Sequence, residues 1–139
     1  MKIFNISLFT FLFLSCSQKV NDFKVETKVN NFDRSSILDL INQEIFKDLN
    51  QELNYEIKHL KISNNFAWLE ATAERKDKKI IEFPDASYDC CDVEGLFEKK
   101  NSKWAIIEVG WFSTDSWYSG LAKKYPKIPK EIFNESQLN

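Results

Sequence analysis

Apolar residues recur along the chain with two different periods. Five aliphatic residues follow one another at steps of three or four: Leu38, Ile41, Ile45, Leu49 and Leu53. This spacing predicts a helix of about five turns with one apolar face. Ser36 and Asp39 have the spacing of a capping box, which would start that helix. Upstream, residues 23–29 alternate with a period of two, as in a half-buried strand.

Alternating segments further along predict two β-hairpins. Their strands are residues 57–63 and 66–73, then residues 93–100 and 103–112. Asn64 and Asn65 form the first turn, since asparagine tolerates the positive φ that tight hairpins require. Asn101 and Ser102 form the second turn.

The two turns also predict which residues pair across the strands. For the first hairpin the expected pairs are Ile62 with Ala67, Leu60 with Leu69, Lys58 with Ala71, Lys61 with Trp68, and His59 with Glu70. For the second they are Phe97 with Ile106, Leu96 with Ile107, and Gly95 with Glu108. The helix should cover the face that carries Leu60 and Ile62. Gly95 and Gly110 leave gaps in one face, for bending or for a ring to lie across.

Weaker signals predict a short strand over residues 80–83 and a short helix over residues 115–124 that ends before Pro126. A strand, one long helix and then four to five antiparallel strands predict an α+β domain over residues 23–139. The helix would pack on one face of a curved sheet. About 120 residues is an ordinary size for one domain.

The first sixteen residues have a separate character. A basic start at Lys2 precedes an apolar run over residues 3–14, and Ser15 and Cys16 follow. This is the pattern of a secretory signal peptide, expected here over residues 1–15. The run is too short to cross a bilayer, which takes about 20 apolar residues.

The segment Phe13-Leu14-Ser15-Cys16 resembles the signal of bacterial lipoproteins, with phenylalanine where that family usually has leucine. The resemblance implies that Cys16 becomes the lipidated N-terminus, carrying an acyl chain such as palmitate. Residues 16–22 would then be the lipidated cysteine and a tether. The protein would be anchored in the bacterial cell envelope, with its membrane contact made through the lipid.

The order of elements resembles the cystatin/NTF2-like roll. Three stretches also look like secreted bacterial domains of that class: Phe66-Ala-Trp-Leu, Asp92-Val-Glu-Gly-Leu-Phe and Lys103-Trp-Ala-Ile-Ile-Glu. The class includes enzymes, binding proteins and inhibitors, so the resemblance implies a fold and no single function.

Charge narrows the range of partners. Removing residues 1–15 leaves 18 basic and 21 acidic residues, a net charge of −3. The two signs are interspersed and form no basic stripe, which argues against a nucleic-acid partner. Three glycines and three prolines among 139 residues argue against a disordered chain.

Cys90 and Cys91 are the most unusual local feature. Neighbouring Cα atoms lie about 3.8 Å apart, below the range of about 4.4–6.8 Å for ordinary disulfides, so a bond between them would be strained and could act as a redox switch. With Tyr88, Asp89 and Asp92 the pair could instead hold a metal, but four converging ligands are not evident. The favoured interpretation is two partly buried thiols with no metal or cofactor.

Two titratable residues are candidates for catalysis. His59 is the only histidine, and its expected pairing with Glu70 favours a cross-strand ion pair. Glu108 is expected to share a face with Trp104 and Phe97, where burial would raise its pKa and allow it to act as a base.

Asp115 and Tyr118 could join Glu108 from the chain that follows the last strand. The favoured alternative is an exposed or lysine-paired carboxylate at Glu108. Large rings also concentrate late in the chain: Trp104, Trp111, Phe112, Trp117 and Tyr118. In so small a domain they are expected to form core.

These observations favour a lipid-anchored, non-catalytic binding or interaction module whose partner is an unidentified protein or small molecule. One alternative is an NTF2-like small-molecule binder or small enzyme that uses an apolar cavity. Another is an inhibitor or immunity-type protein.

Overall fold

The computed structural model describes residues 19–139 as a five-stranded antiparallel sheet with one helix on one face. The strands are β1 (Asn21–Asp22), β2 (Leu53–Ser63), β3 (Phe66–Arg75), β4 (Asp92–Lys100) and β5 (Lys103–Trp111). They lie side by side in chain order, so the sheet is an open meander. The α+β class and the sheet of five strands are confirmed.

Helix α1 (Asn31–Leu49) covers one side of the sheet, called here the helix face. Residues 113–139, the C-terminal segment, cover the other side, called the C-terminal face. This segment holds α2 (Leu121–Lys124), a 3₁₀ turn (Lys130–Ile132) and α3 (Glu135–Leu138). Among residues 19–139, no helix combines the length and the apolar character that crossing a membrane requires.

Helix α1 begins five residues before the predicted capping box at Ser36. The Ser36 hydroxyl lies inside the helix and donates to the backbone oxygen of Phe32 at 2.7 Å. The helix ends at Asn50, whose φ of 53° turns the chain and whose N–H donates to the Phe46 oxygen. The expectation of one long helix is wrong, since the 19 residues of α1 are within the ordinary range for globular domains.

The strand expected over residues 23–29 is wrong. The side chain of Asn30 accepts a hydrogen bond from the N–H of Thr27 and donates one to the oxygen of Val25, so this stretch folds into a local turn. Asparagine competes for backbone partners in this way and diverts the chain from a sheet.

The tether expected over residues 16–22 ends sooner than predicted. Asn21 and Asp22 pair with Ile62 and Lys61 and form the short edge strand β1. The predicted signal peptide and the predicted lipidation site at Cys16 lie outside the described residues.

The first hairpin has the predicted turn, with φ of 48° at Asn64 and 64° at Asn65. Four of its five expected pairs are confirmed, including His59 with Glu70. The pair of Lys58 with Ala71 is wrong, because the register shifts at Lys58 and Ile57 takes its place opposite Ala71.

The second hairpin also turns where predicted, and Phe97 does pair with Ile106. A bulge then inserts one residue into β5, so that Leu96 pairs with Glu108 and Gly95 with Val109. The two expected pairs beyond the bulge are therefore wrong. Because one inserted residue reverses the alternation, Glu108 lies on the C-terminal face instead of the helix face.

The helix face holds the larger core. Ile37, Ile41 and Ile45 of α1 are completely buried, whereas Leu38 and Leu49 of the predicted stripe are only partly buried. These side chains of α1 pack against the predicted partners on β2 and β3: Leu60, Ile62, Ala67, Leu69 and Ala71. The packing face is confirmed for Ile41 and Ile45, whereas Leu53, predicted as the last residue of the helical stripe, is the first residue of β2.

The C-terminal face holds a second core around Trp68 and Leu96. Buried residues of the C-terminal segment complete it: Leu121, Ala122, Ile128, Ile132 and Phe133. The late aromatic residues divide between the two cores, since Trp104 and Phe112 lie on the helix side and Trp117 and Tyr118 on the other.

Two minor predictions differ from the structure. The helix expected over residues 115–124 is shorter, because only Leu121–Lys124 is helical and turns precede it. Residues 80–83 form no strand and belong to the loop between β3 and β4.

Candidate functional site

A row of polar positions crosses the C-terminal face of the sheet. His59 pairs with Glu70, Glu70 pairs with Glu94, and Glu94 pairs with Gly110. Residues directly opposite each other in antiparallel strands share a face, with Cβ atoms about 4.5–5.5 Å apart. Two acidic side chains therefore stand next to each other beneath the C-terminal segment.

Glu70 is held in place by two side-chain donors. Its Oε1 accepts a hydrogen bond from the indole N–H of Trp68 at 2.9 Å, and its Oε2 accepts one from Asn134 Nδ2 at 2.8 Å. Asn134 belongs to the C-terminal segment, so that segment orients the carboxylate as well as covering it.

Glu94 is half-buried, and its pKa is raised from 4.5 to about 7, chiefly by burial. The negative charges of Asp92 and Glu70 contribute to this rise, because each disfavours a second nearby carboxylate. At neutral pH Glu94 therefore exchanges between its protonated and ionised forms. A carboxyl group with a pKa near 7 is a recurring property of functional sites.

The indole of Trp117 closes one side of the row. Its buried N–H meets no acceptor in hydrogen-bonding geometry, but it lies close enough to Glu94 to oppose the rise in pKa. The ring occupies the space above Gly110, where a Cβ atom would overlap it. Gly110 therefore has a ring across it, as predicted, although Gly95 lies on the helix face beneath the ring of Phe97.

Glu70 and Glu94 border a cleft of about 230 Å³, called here the carboxylate cleft. Its lining consists of Lys58, Glu70, Ala71, Asp92, Glu94, Tyr118 and Ser136. The ammonium group of Lys58 is paired with Glu56 at 2.7 Å. Asp92 accepts a hydrogen bond from the Thr72 hydroxyl at 3.2 Å. The cleft thus combines three carboxyl groups with the paired ammonium group of Lys58, the phenol of Tyr118 and the hydroxyl of Ser136.

Glu108 lies outside this cleft, on the same face of the sheet. Partial burial raises its pKa, but hydrogen bonds from Lys124 and Tyr125, together with the charge of Lys124, outweigh burial and lower the pKa below its ordinary value. Glu108 therefore lacks the raised pKa of a buried base, and the favoured lysine-paired alternative describes it correctly. Asp115 is exposed, and Tyr118 lines the carboxylate cleft instead.

His59 has a different role from the expected ion pair. It is buried, and its Nε2 lies 2.7 Å from the backbone oxygen of Ile132. Since a carbonyl oxygen only accepts, Nε2 carries the proton and donates it. The histidine fastens the 3₁₀ turn of the C-terminal segment to the sheet.

Cys90 and Cys91 form a disulfide in the structure, which differs from the expected pair of thiols. Cys91 is partly buried against the helix-side core, and its backbone oxygen accepts a hydrogen bond from Ala73. Within residues 19–139, no three His, Cys, Asp or Glu side chains converge in a way that could hold a metal ion.

Sequence reasoning identified Glu70 and Tyr118 but missed Glu94. The opposition of Glu70 and Glu94 depends on the pairing of β3 with β4, which are separated by residues 76–91. A tight turn predicts register only between the strands it joins. The one sequence signal for the position of Glu94 was the alternation along this strand. It places Glu94 on the same face as Leu96, two residues later.

Glu94→Gln is expected to remove a pH-dependent loss of stability. The folded protein binds the Glu94 proton more tightly than the unfolded chain, so this group favours folding fully below about pH 4.5 and loses that contribution as the pH rises to about 7. Because Glu94 is partly exposed, we expect the variant to gain only about 1–2 kcal/mol at pH 8 and almost nothing at pH 4.

Urea unfolding at pH 4, 6 and 8 measures this effect. Glu98→Gln is the matched control, since Glu98 lies four residues along the same strand and pairs with Lys100 at 2.7 Å. Parallel pH dependence in wild type and Glu94→Gln would exclude Glu94 as the source.

Comparison with known proteins returned no match for this chain among protein-family profiles, curated proteins or solved structures.

Proposed function

We propose that this protein is a binding module anchored in the bacterial cell envelope through lipid on Cys16, and that its carboxylate cleft binds a positively charged group. The lipoprotein-like segment Phe13 to Cys16 supports the anchor. A domain of the cystatin/NTF2-like class would fit the helix and the antiparallel sheet. The observation that carries the binding function is the direct opposition of Glu70 and Glu94.

Electrostatics determine the sign of the ligand. Like charges directly opposite on a sheet destabilise the fold. Burial above all, together with the charges of Asp92 and Glu70, raises the pKa of Glu94 to about 7. An ammonium or guanidinium group between the two carboxylates would remove this repulsion and form charge-assisted hydrogen bonds. A ligand cation would therefore bind with Glu94 ionised and would lower its pKa.

Size limits the ligand further. Drug-sized molecules usually occupy about 300–1,000 Å³, so a cleft of about 230 Å³ suits a small amine or one basic side chain. A small amine corresponds to a small-molecule binder, and a lysine or arginine side chain corresponds to an interaction module or inhibitor. The same chemistry recognises both sources.

Two features favour binding over an enzyme that uses an enclosed apolar cavity. The space between α1 and the sheet is occupied by completely buried side chains, Ile41 and Phe97 among them. Glu108, the base proposed for such an enzyme, is engaged with Lys124 and Tyr125.

NMR titration of the full chain in detergent micelles tests the binding function. We expect n-butylammonium or an arginine-containing tripeptide to shift the indole resonance of Trp117 in a saturable manner at pH 8. Glu94→Gln should weaken binding about 10- to 100-fold, because a hydrogen bond to a charged group contributes about 1.5–3 kcal/mol. Affinity should also fall from pH 8 to pH 6 as Glu94 becomes protonated.

The controls separate charge from shape. Glu98→Gln should bind like the wild type, and n-butanol, the uncharged counterpart of the amine, should not bind. A pH-independent affinity, or equal binding of the alcohol, would contradict the cation site. Tight binding of the tripeptide but not of n-butylammonium would identify a protein side chain as the ligand.

A further inference from the structure

One end of the domain gathers the start of α1 and both hairpin turns. The N–H of Lys99 donates to the oxygen of Asn65 at 2.7 Å, which brings the second hairpin beside the first turn. Asp33, in the first turn of α1, accepts hydrogen bonds from Lys99 at 2.6 Å and from the Trp104 indole at 2.8 Å. This end is called the turn end.

The N-terminal chain enters the domain at the same end. In the antiparallel pairing of β1 with β2, Asp22 lies opposite Lys61 and Asn21 lies opposite Ile62. Followed backwards, the chain therefore runs towards the turn at Asn64. From Asn21 back to Cys16 is five residues, which span at most about 17 Å even when fully extended. A lipid on Cys16 would hold the turn end close to the bilayer.

The turn end exposes large apolar side chains. Val29 is 96% exposed and Phe32 is 70% exposed. Asn30, between them in sequence, is buried and bonded to Thr27, so this turn is held in place by its own hydrogen bonds. Neither apolar side chain reaches the core from this position.

Basic residues flank these apolar side chains. Lys28 precedes Val29, and Lys103 lines a cleft together with Phe32 and Ser102. Within residues 19–139, neither lysine takes part in an ion pair. Exposed apolar groups between unpaired lysines are the features that favour the surface of an anionic membrane.

We propose that the turn end lies on the bilayer surface, with Val29 and Phe32 in the headgroup region and Lys28 and Lys103 near anionic lipids. The inference rests on the lipid anchor of the proposed function. The turn end would add an apolar and electrostatic contact to that anchor and would orient the domain on the bilayer.

Site-directed fluorescence tests the contact in the full lipidated chain. Val29→Cys carries an environment-sensitive NBD probe, and the protein is placed in vesicles of phosphatidylcholine and phosphatidylglycerol. The added cysteine is the labelling site, because Cys90 and Cys91 are bonded to each other and the anchor would acylate Cys16. The matched control is Ile80→Cys, at a residue that is 86% exposed.

Ile80 lies at the opposite end of the sheet. Its backbone oxygen accepts from Arg75, which pairs with Leu53 at the start of β2. We expect a blue-shifted probe at position 29 and lipid-borne quenching at least roughly threefold stronger than at position 80. Both substituted side chains are exposed, so neither variant should disturb folding.

The outcomes distinguish the contact from the anchor. Equal, water-like signals at both positions with the protein in the vesicle fraction would overturn the membrane contact and leave the anchor intact. We expect Cys16→Ser to remain soluble. A wild-type chain that also remained soluble would overturn both the anchor and the membrane contact. Adding Phe32→Ser to the labelled Val29→Cys protein tests the apolar contact directly. Strong quenching at position 29 that disappears in this double variant would support the contact.

Discussion

Replacing Trp68 by alanine is expected to reduce the free energy of unfolding by about 3–5 kcal/mol, the usual cost of truncating a buried tryptophan. Trp68 is completely buried at the centre of the C-terminal face. Its ring packs at 5.9–6.2 Å between centroids against three rings of the C-terminal segment: Trp117, Tyr118 and Phe133. Its indole N–H also orients Glu70 at 2.9 Å.

Urea unfolding combined with amide hydrogen exchange measures the effect of Trp68→Ala. Exchange should accelerate most in the C-terminal segment, which loses the ring that Trp117, Tyr118 and Phe133 contact. Trp68→Phe is the matched variant, since it keeps a ring and removes the hydrogen bond to Glu70; it should be markedly more stable than Trp68→Ala. If Trp68→Ala unfolded at the same urea concentration as the wild type, the C-terminal segment would not pack on this face.

Replacing Ile41 by alanine is expected to cost about 2–5 kcal/mol, as truncation of a buried aliphatic side chain usually does. Ile41 is completely buried in the middle of the buried stripe of α1 and reaches the ring of Phe97 and the backbone at Gly95. Neighbouring side chains cannot fill the cavity without moving α1, so most of the lost packing should remain uncompensated.

Phe46→Ala on the same helix is the control for Ile41→Ala, because Phe46 is 46% exposed. We expect it to cost clearly less, although the side chain it removes is larger. Thermal and urea unfolding measure both variants. Equal losses would show that α1 buries a different face from the one described.

The two layers act together at the carboxylate cleft. The sheet supplies Glu70 and Glu94, and the C-terminal segment supplies Tyr118, Asn134 and Ser136. Ligand binding should therefore depend on docking of the C-terminal segment. Trp68→Ala should weaken both the docking of the C-terminal segment and ligand binding. Ile41→Ala removes packing on the helix face, which is the other side of the sheet.

The local sequence determined the parts of this fold in which neighbours along the chain make the decisive contacts. Asn64 and Asn65 adopt positive φ at a modest cost, so the first turn and most of its register followed from the sequence. The helical period likewise predicted α1, with Ile41 and Ile45 among its buried residues. Its start was missed, because Asn30 makes side-chain bonds that periodicity does not reveal.

Tertiary structure decided the candidate site. A single inserted residue in β5 moved Glu108 to the other face, where hydrogen bonds from Lys124 and Tyr125 outweigh burial and lower its pKa. The pairing of β3 with β4 placed Glu94 opposite Glu70 across a long loop. A pKa depends on the solvent and charges around a group in space, and spacing along the chain encodes neither.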